Sequence, residues 1–262
     1  MVLAHCCKNN HKKGITLMGR TNVKVRLLEH TPNPENVVAM AAKLCYSNAN
    51  IGELLEKIES NDQSNFINGL VAMGHMSPIE HISFTFGIEG VSRAFLAQIT
   101  RHRIASFSVK SQRYTKAIGD GTGTFAYILP PQIEALGEEA VRKYDEQMRT
   151  MQVWYNEWVE ALGNKGESSN EDARFVLPNA AETKMIVTFN ARELLHVFSY
   201  RLCNRAQWEF RAVADAMLEE VKKVAPIIFS YAGPHCVHGV CPEGKKSCGK
   251  QAEMKAKYGK KD

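Results

Sequence analysis

No stretch of the chain stays apolar for the about 18 residues that a membrane-spanning helix requires. The opening residues, MVLAHCCKNNHKKG, lack the apolar centre of a secretory signal, so a cytoplasmic location is expected. Neither a Gly-x-Gly-x-x-Gly turn nor a Walker-type loop is present, which leaves a Rossmann or P-loop nucleotide site without support. There is no internal repeat and no long linker. Cysteine occurs seven times, an odd count, and without a secretory signal a disulfide framework is not expected. What is there is ordinary globular usage, 44% hydrophobic, 23% charged and 8% aromatic, which excludes disorder and collagen-like repetition. A chain of 262 residues has room for one large domain or two small ones.

The net charge of +5 is unevenly spread. Residues 1–26 carry six basic side chains and no acid, residues 243–262 sum to +4, and the stretch between is −5. A nucleic-acid binder places its basic excess on a folded face. Here the excess sits at the ends, so solvated basic termini are the expectation, with neither nucleic acid nor membrane as a partner. The chain divides into a basic extension (1–26), a main domain (27–232) and a Cys/His- and Lys-rich tail (233–262).

Pro34 opens a helical segment through ENVVAMAAKLCYS, and a second helix is expected around residues 65–74. Residues 82–88 alternate as a strand does. Residues 91–103 read as helical, with Phe95, Leu96 and Ile99 on one side, and Gly119–Gly123 and Pro130-Pro131 mark an irregular loop. A long helix is expected over 134–162, then a polar break over 163–170. Asn170-Glu171-Asp172 would cap a short helix carrying Arg174. Residues 185–189 read as a second strand, 191–203 and 206–224 as helices, with Pro226 ending the latter. Strands mixed irregularly with helices predict an α+β fold, a mixed sheet flanked by helices.

The segment Thr100–Tyr114 holds three arginines, a lysine, a histidine and three serines with no acid among them. Guanidinium forks match phosphate oxygens, and serine hydroxyls complete such a shell. The plainer alternatives are a solvated basic face, or arginines paired to acids elsewhere in the fold. Ile104, Ala105, Phe107 and Val109 interrupt the charges and point to a partly buried loop. Buried cations need partners, and an anionic ligand is an economical one.

Arg101-His102-Arg103, seven residues, then Ser111-Gln112-Arg113-Tyr114 resembles the signature of the flavin-dependent thymidylate synthases. Three further segments resemble that family in the same order. They are Gly74-His75-Met76-Ser77-Pro78 with Glu80-His81; Arg174-Phe175-Val176-Leu177-Pro178; and Asn190-Ala191-Arg192 with His196, Arg201 and Ala206-Gln207-Trp208-Glu209. The resemblance spans roughly Val37 to Pro226. It implies conversion of dUMP to dTMP with methylenetetrahydrofolate as carbon donor, NADPH as reductant and bound FAD. It also implies a homotetramer whose active sites lie where subunits meet.

By position, the resemblance implies that Ser77, Arg101, His102, Arg103, Asn190, Arg192 and His196 contact FAD, with His75 near the flavin. It gives dUMP to Gln98, Arg101, Ser111, Gln112, Arg113, Arg174 and Arg201, with Arg201 as the catalytic residue that polarises the uracil ring. Many relatives have Glu or Gln where this chain has Val109, so any cofactor contact there is made by backbone.

Helical geometry offers a partial test of these assignments. At ~100° per residue, Leu194, Leu195, Phe198 and Leu202 form one apolar sector with Arg201 on its edge, and Arg192 and His196 share the opposite face. An arginine on such an edge either snorkels to water or meets a ligand. Methylating a uracil ring needs electron density at carbon, and a permanent cation stabilises the charge displaced onto oxygen and nitrogen. Hydride delivered by flavin needs no cysteine nucleophile, and Ser111, with no evident base beside it, reads as a substrate contact.

His81 reads as a core or interface histidine, Glu171 as a partner for Arg174, and Trp154 and Trp158 as core or subunit packing. Cys236, Cys241 and Cys248, with His235 and His238, have the donors for zinc but not the spacing of paired knuckles, and no metal is assigned from them. Two other classes remain open. A nucleic-acid module would bind with steep salt dependence. A zinc-stabilised assembly protein would depend on Cys236 and Cys241.

Overall fold

The computed structural model describes residues 19–118 and 123–259. Cys6, Cys7, the first three lysines and most of the glycine loop at 119–123 lie outside them.

The elements in chain order are β1 (Lys24–His30), α1 (Pro34–Leu44), α2 (Ile51–Glu59), α3 (Ser64–Ala72), a 3-10 turn (Ser77–His81), β2 (Ser83–Ser92), α4 (Arg93–Ile99) and β3 (Ala105–Val109). They continue with α5 (Pro131–Glu134), α6 (Glu138–Ala161), α7 (Glu167–Ala173), β4 (Glu182–Asn190), α8 (Ala191–Arg201), α9 (Trp208–Lys222), α10 (Pro226–Phe229) and α11 (Gln251–Tyr258). This is an α+β fold. Its four-stranded sheet, ordered β1-β2-β4-β3, is antiparallel in all three ladders, where a mixed sheet was expected.

Alternation sets the two faces of the sheet. Leu27, Phe86, Val187 and Phe107 stand in one row across all four strands, facing the helices. The next row, Arg26, Gly87, Ile186 and Ser108, faces away. The inner face packs into one core with Val38, Phe95, Leu194, Phe198, Phe210, Val213 and Phe229. Two satellite clusters, around Tyr127 with Met148 and around Tyr155 with Val159, bind α6 to the rest. Gly90 interrupts β2 at a bulge with φ +71°, and a Cβ there would lie 1.9 Å from the Asn22 carbonyl oxygen, so only glycine fits.

Several boundaries differ from expectation. Val91 and Ser92 finish β2 before α4 begins. The long helix starts at Glu138, after the separate turn α5. The polar break contains α7, and Arg174 follows that helix where a helix carrying it was expected. Pro226 opens α10, its ring suited to a first turn. The arginine-rich loop holds a strand, β3, and β1 crosses residue 26, where the basic extension was expected to end. The tail is packed: Cys236, Met254 and Tyr258 are buried in the main core. Trp154 and Trp158 are about half exposed on α6, and His81 is exposed, so none of the three is a core residue. No described helix is long and apolar enough to cross a membrane.

Candidate active site

Two strand-to-helix turns build the centre. Asn190 ends β4 and caps α8, its side-chain oxygen accepting from the Glu193 N–H at 2.8 Å. Ser92 ends β2 and caps α4 in the same way, accepting from the Phe95 N–H at 3.0 Å. Glu209 of α9, buried at 1% exposure, accepts from both the N–H and the hydroxyl of Ser92 at 2.6 Å. The N-terminus of α4 is thereby fixed to α9, and the turn that follows α4 brings Arg101 and His102 to α8.

His102 is buried between α4 and α8. The Nε–H of Arg201 donates to its Nε2 at 3.1 Å, so the ring proton sits on Nδ1 and faces Glu193 Oε1 at 3.2 Å. Burial, then the charges of Arg201, His196 and Arg101, hold the imidazole pKa down at about 4. The His102–Glu193 contact is therefore a hydrogen bond from a neutral imidazole, not an ion pair. Burial raises the Glu193 carboxyl above the usual range, against the pull of His196.

Burial, and then Arg101, lower the Arg201 guanidinium. It stacks over the Phe210 ring at 4.6 Å, and among the described residues it has no carboxylate partner. His102, Glu193 and His196 bring three ligand atoms within 4.8 Å of one another. Both nitrogens of His102 are engaged and Arg201 adds a cation, so this trio is a poor metal site.

The expected residues fall into separate groups. Asn190, Arg192 and His196 line a cavity of about 460 Å³ with Ile104, Glu80 and Glu193, and Glu80 pairs with Arg192 at 2.5 Å. Arg101 and Arg103 are exposed on either side of buried His102. His75 is exposed beyond α3, placed by a Schellman cap in which the Gly74 and His75 N–H groups donate to Val71 and Leu70. Ser77 is exposed on the turn whose Glu80 meets Arg192. Val109 ends β3 and lines a groove on the outer sheet face.

Ser111 uses its hydroxyl oxygen within its own turn, accepting from Arg113 N–H at 3.2 Å, and Gln112 lines a cavity of about 210 Å³ with Phe125 and Leu177. Arg113 pairs with Glu167 and, at 3.0 Å, with Glu171. Glu171 thus spends its carboxylate on Arg113, while Arg174 Nε donates only to the Glu171 carbonyl. Arg101 lies close enough to Arg201 to bear on its charge, and Arg113 and Arg174 meet at Glu171.

Sequence reasoning gave Glu209 no role beyond its place in a family-like segment, and missed Glu193, Phe210 and Arg93, whose guanidinium is lowered by burial and then by Arg174. Glu193 carries a signal: Asn190-x-x-Glu193 is the spacing of a capping box. The carboxylate serves His102 instead.

The fold has solved counterparts. A thymidylate synthase X from Helicobacter pylori, solved with FAD and dUMP, superimposes with a TM-score of 0.58 over 79% of this chain and 97% of that one, at 21% identity. A UMP/dUMP methylase, PolB from Streptomyces cacaoi, bound with 5-Br UMP, gives 0.63 over 80% and 92%, at 24% identity. The chain shares the fold of these two proteins. The family model for thymidylate synthase complementing protein matches residues 26–227. The flavin-dependent thymidylate synthase of Clostridium tetani is 49% identical over 254 residues, covering 92% of this chain and all of that protein. That of Geobacter sulfurreducens is 52% identical over 233 residues, covering 89% and 97%. The chain belongs to the flavin-dependent thymidylate synthase family.

Proposed function

We propose that this chain methylates dUMP to dTMP, taking the carbon from methylenetetrahydrofolate and the electrons from NADPH through bound FAD, as a homotetramer with sites between subunits. The observation that carries the reading is Arg201, a half-buried cation held by a neutral imidazole and an aromatic face with no acid to satisfy it. Such a group is poised for charge that arrives with a substrate. Its Nε is committed to His102, which leaves the Nη edge to a pyrimidine carbonyl or ring nitrogen. The fixed guanidinium would then stabilise the enolate-like charge on the ring oxygen and nitrogen that makes the ring carbon nucleophilic.

The residues present fit a flavin dinucleotide. Arg192, His196 and Asn190 around one cavity supply cationic and amide groups suited to phosphate and ring carbonyls, and Ile104 supplies an apolar wall. Arg101, His102, Arg103, Asn190, Arg192 and His196 would hold it, with His75, Ser77 and the Val109 backbone at its margin. When bound, FAD supplies the hydride that completes the methyl group. Arg113 and Arg174, with Gln98, Ser111 and Gln112, would grip the nucleotide, the Arg113 guanidinium being kept in place by Glu167 and Glu171 until a phosphate competes. The catalytic unit is proposed to extend to about residue 232.

The test is spectroscopic and chemical. The purified chain is expected to carry flavin absorbance that bleaches anaerobically with NADPH, and to form dTMP from dUMP and the folate donor. Arg201→Lys keeps the charge and loses the planar fork. It should retain flavin while turnover falls about 10²–10³-fold. Wild-type turnover in that variant removes Arg201 from the chemistry, and a chain that binds no flavin and forms no dTMP sinks the reading.

A further inference from the structure

The tail cysteines look unconnected in sequence, but the fold brings them to a fourth. Cys203 lies two residues beyond Arg201, just past α8, and Cys203, Cys236 and Cys241 line one cavity of about 450 Å³ whose wall includes Arg201 itself. Cys248 follows by two residues Lys246, whose carbonyl accepts from Arg205, and precedes by three Gln251, whose amide donates to the Cys236 carbonyl. All four are free thiols.

The loop that carries three of them is held to α8's end by specific bonds. Arg205 donates to the Glu243 carboxylate at 2.6 Å and to the Lys246 carbonyl at 2.5 Å. The Gln251 amide donates to the Cys236 and Gly239 carbonyls at 2.8 and 2.7 Å. Met254 and Tyr258 then bury α11 in the core. The convergence is therefore built, and hydrophobic burial does not explain it, since Cys241 is only half-buried and Cys248 is exposed.

We propose that Cys203, Cys236, Cys241 and Cys248 form a four-thiolate site for a thiophilic metal, a single zinc ion or an iron–sulfur cluster. Thiolates select these metals over magnesium and calcium. Metal binding releases the thiol protons and turns the four sulfurs into a ligand set. Among the described residues, no three cysteine sulfurs lie within the 4.8 Å of one another that His102, Glu193 and His196 achieve. Zinc, with Zn–S bonds of about 2.3 Å, draws the loop inward, whereas a cluster gives each thiolate its own iron and accepts wider spacing. Either metal staples the tail to the helix that presents Arg201, and the site rests on no step of the proposed reaction.

The full-length protein is purified anaerobically and divided, one part reconstituted with zinc and the other with iron and sulfide. Metal and acid-labile sulfide are counted per chain, and X-ray absorption at the metal edge reads the ligand shell. One zinc, or iron and sulfide in equal amounts, with a sulfur-only shell at about 2.3 Å, supports the site and says which metal fills it. Cys203→Ser and Cys248→Ser should each lower metal content at least about tenfold, while the distant, exposed Cys45→Ser keeps it. Cys248 is exposed, so its replacement leaves packing intact and isolates the ligand effect. Absence of stoichiometric metal from both reconstituted wild-type samples overturns the proposal. So does full metal content in the Cys203→Ser/Cys248→Ser double variant, or a disulfide among the four in the anaerobic protein. These readouts are independent of dTMP formation.

Discussion

His102 stays neutral because a second proton would set its Nε2 N–H against the Arg201 N–H that it now accepts. Burial and the charges of Arg201, His196 and Arg101 express this as a pKa of about 4, while the unfolded imidazole titrates near its ordinary 6.5. Between those values the unfolded chain binds more protons, so stability falls as the pH drops from 6.5 towards 4 and the loss levels off below that. At pH 5 this one group should have cost about 2 kcal/mol per subunit relative to pH 7. Glu193 works in the opposite sense, since its raised pKa makes the folded state the stronger proton binder. The comparison that isolates His102 is His102→Gln, which cannot take up the proton. Urea titrations of both proteins at pH 7 and pH 5 should show the wild type losing the extra stability and the variant not. Parallel losses would mean that the imidazole is not held neutral.

At the scale of elements, α4 depends on a single acid from another helix. Glu209 accepts two short bonds from Ser92, whose own oxygen caps α4, so the cap and its anchor share one residue. A hydrogen bond to a charged group contributes about 1.5–3 kcal/mol, and the amide of Glu209→Gln can accept only one of the two. That variant should lose about 2–3 kcal/mol in denaturant titration, with amide exchange rising first in Arg93–Ile99. Unchanged exchange there would show that α4 is held by packing alone. The same element shows what a sequence makes legible. Strands β2 and β4 and helices α1, α8 and α9 announce themselves because burial on one face forces period two or 3.6. β3 carries the same alternation, Ser106 and Ser108 against Ala105, Phe107 and Val109, but flanking arginines make it read as a loop. β1 hides Val25 and Leu27 among charges. α7, ESSNEDA, has no apolar period at all; Tyr155 reaches Asn170, and Ser169 accepts from Lys165 N–H, so tertiary partners hold it. At the site, the arginines are legible because their charge goes unmatched locally. Glu193 and Glu209 are not, because their partners lie 91 and 117 residues away.

For the whole molecule, the sheet raises a question of coverage. Its inner face is closed by helices, while the outer face is a groove of about 610 Å³. An antiparallel sheet that meets water on one side normally turns polar there. This one keeps Leu28 and Ile186 at 46% and 49% exposure over Gly87, where a Cβ would touch the Leu28 side chain at 3.3 Å. Lys24, Arg26, Lys110 and Lys184 rim that apolar centre. A dry centre with a charged rim is the anatomy of a protein interface. The proposed tetramer, with sites between subunits, gives the face a partner. Ile186→Lys adds a cation to a basic rim without touching the core, so the subunit should keep its helical circular dichroism. Its mass by light scattering should fall below that of the wild-type assembly, and turnover per chain should fall with it, because half of each site is then missing. Leu28→Lys, in the strand at the sheet's edge, should do the same. If both variants keep the wild-type mass, this face is not where the subunits meet; if mass falls and turnover does not, each chain already holds a complete site.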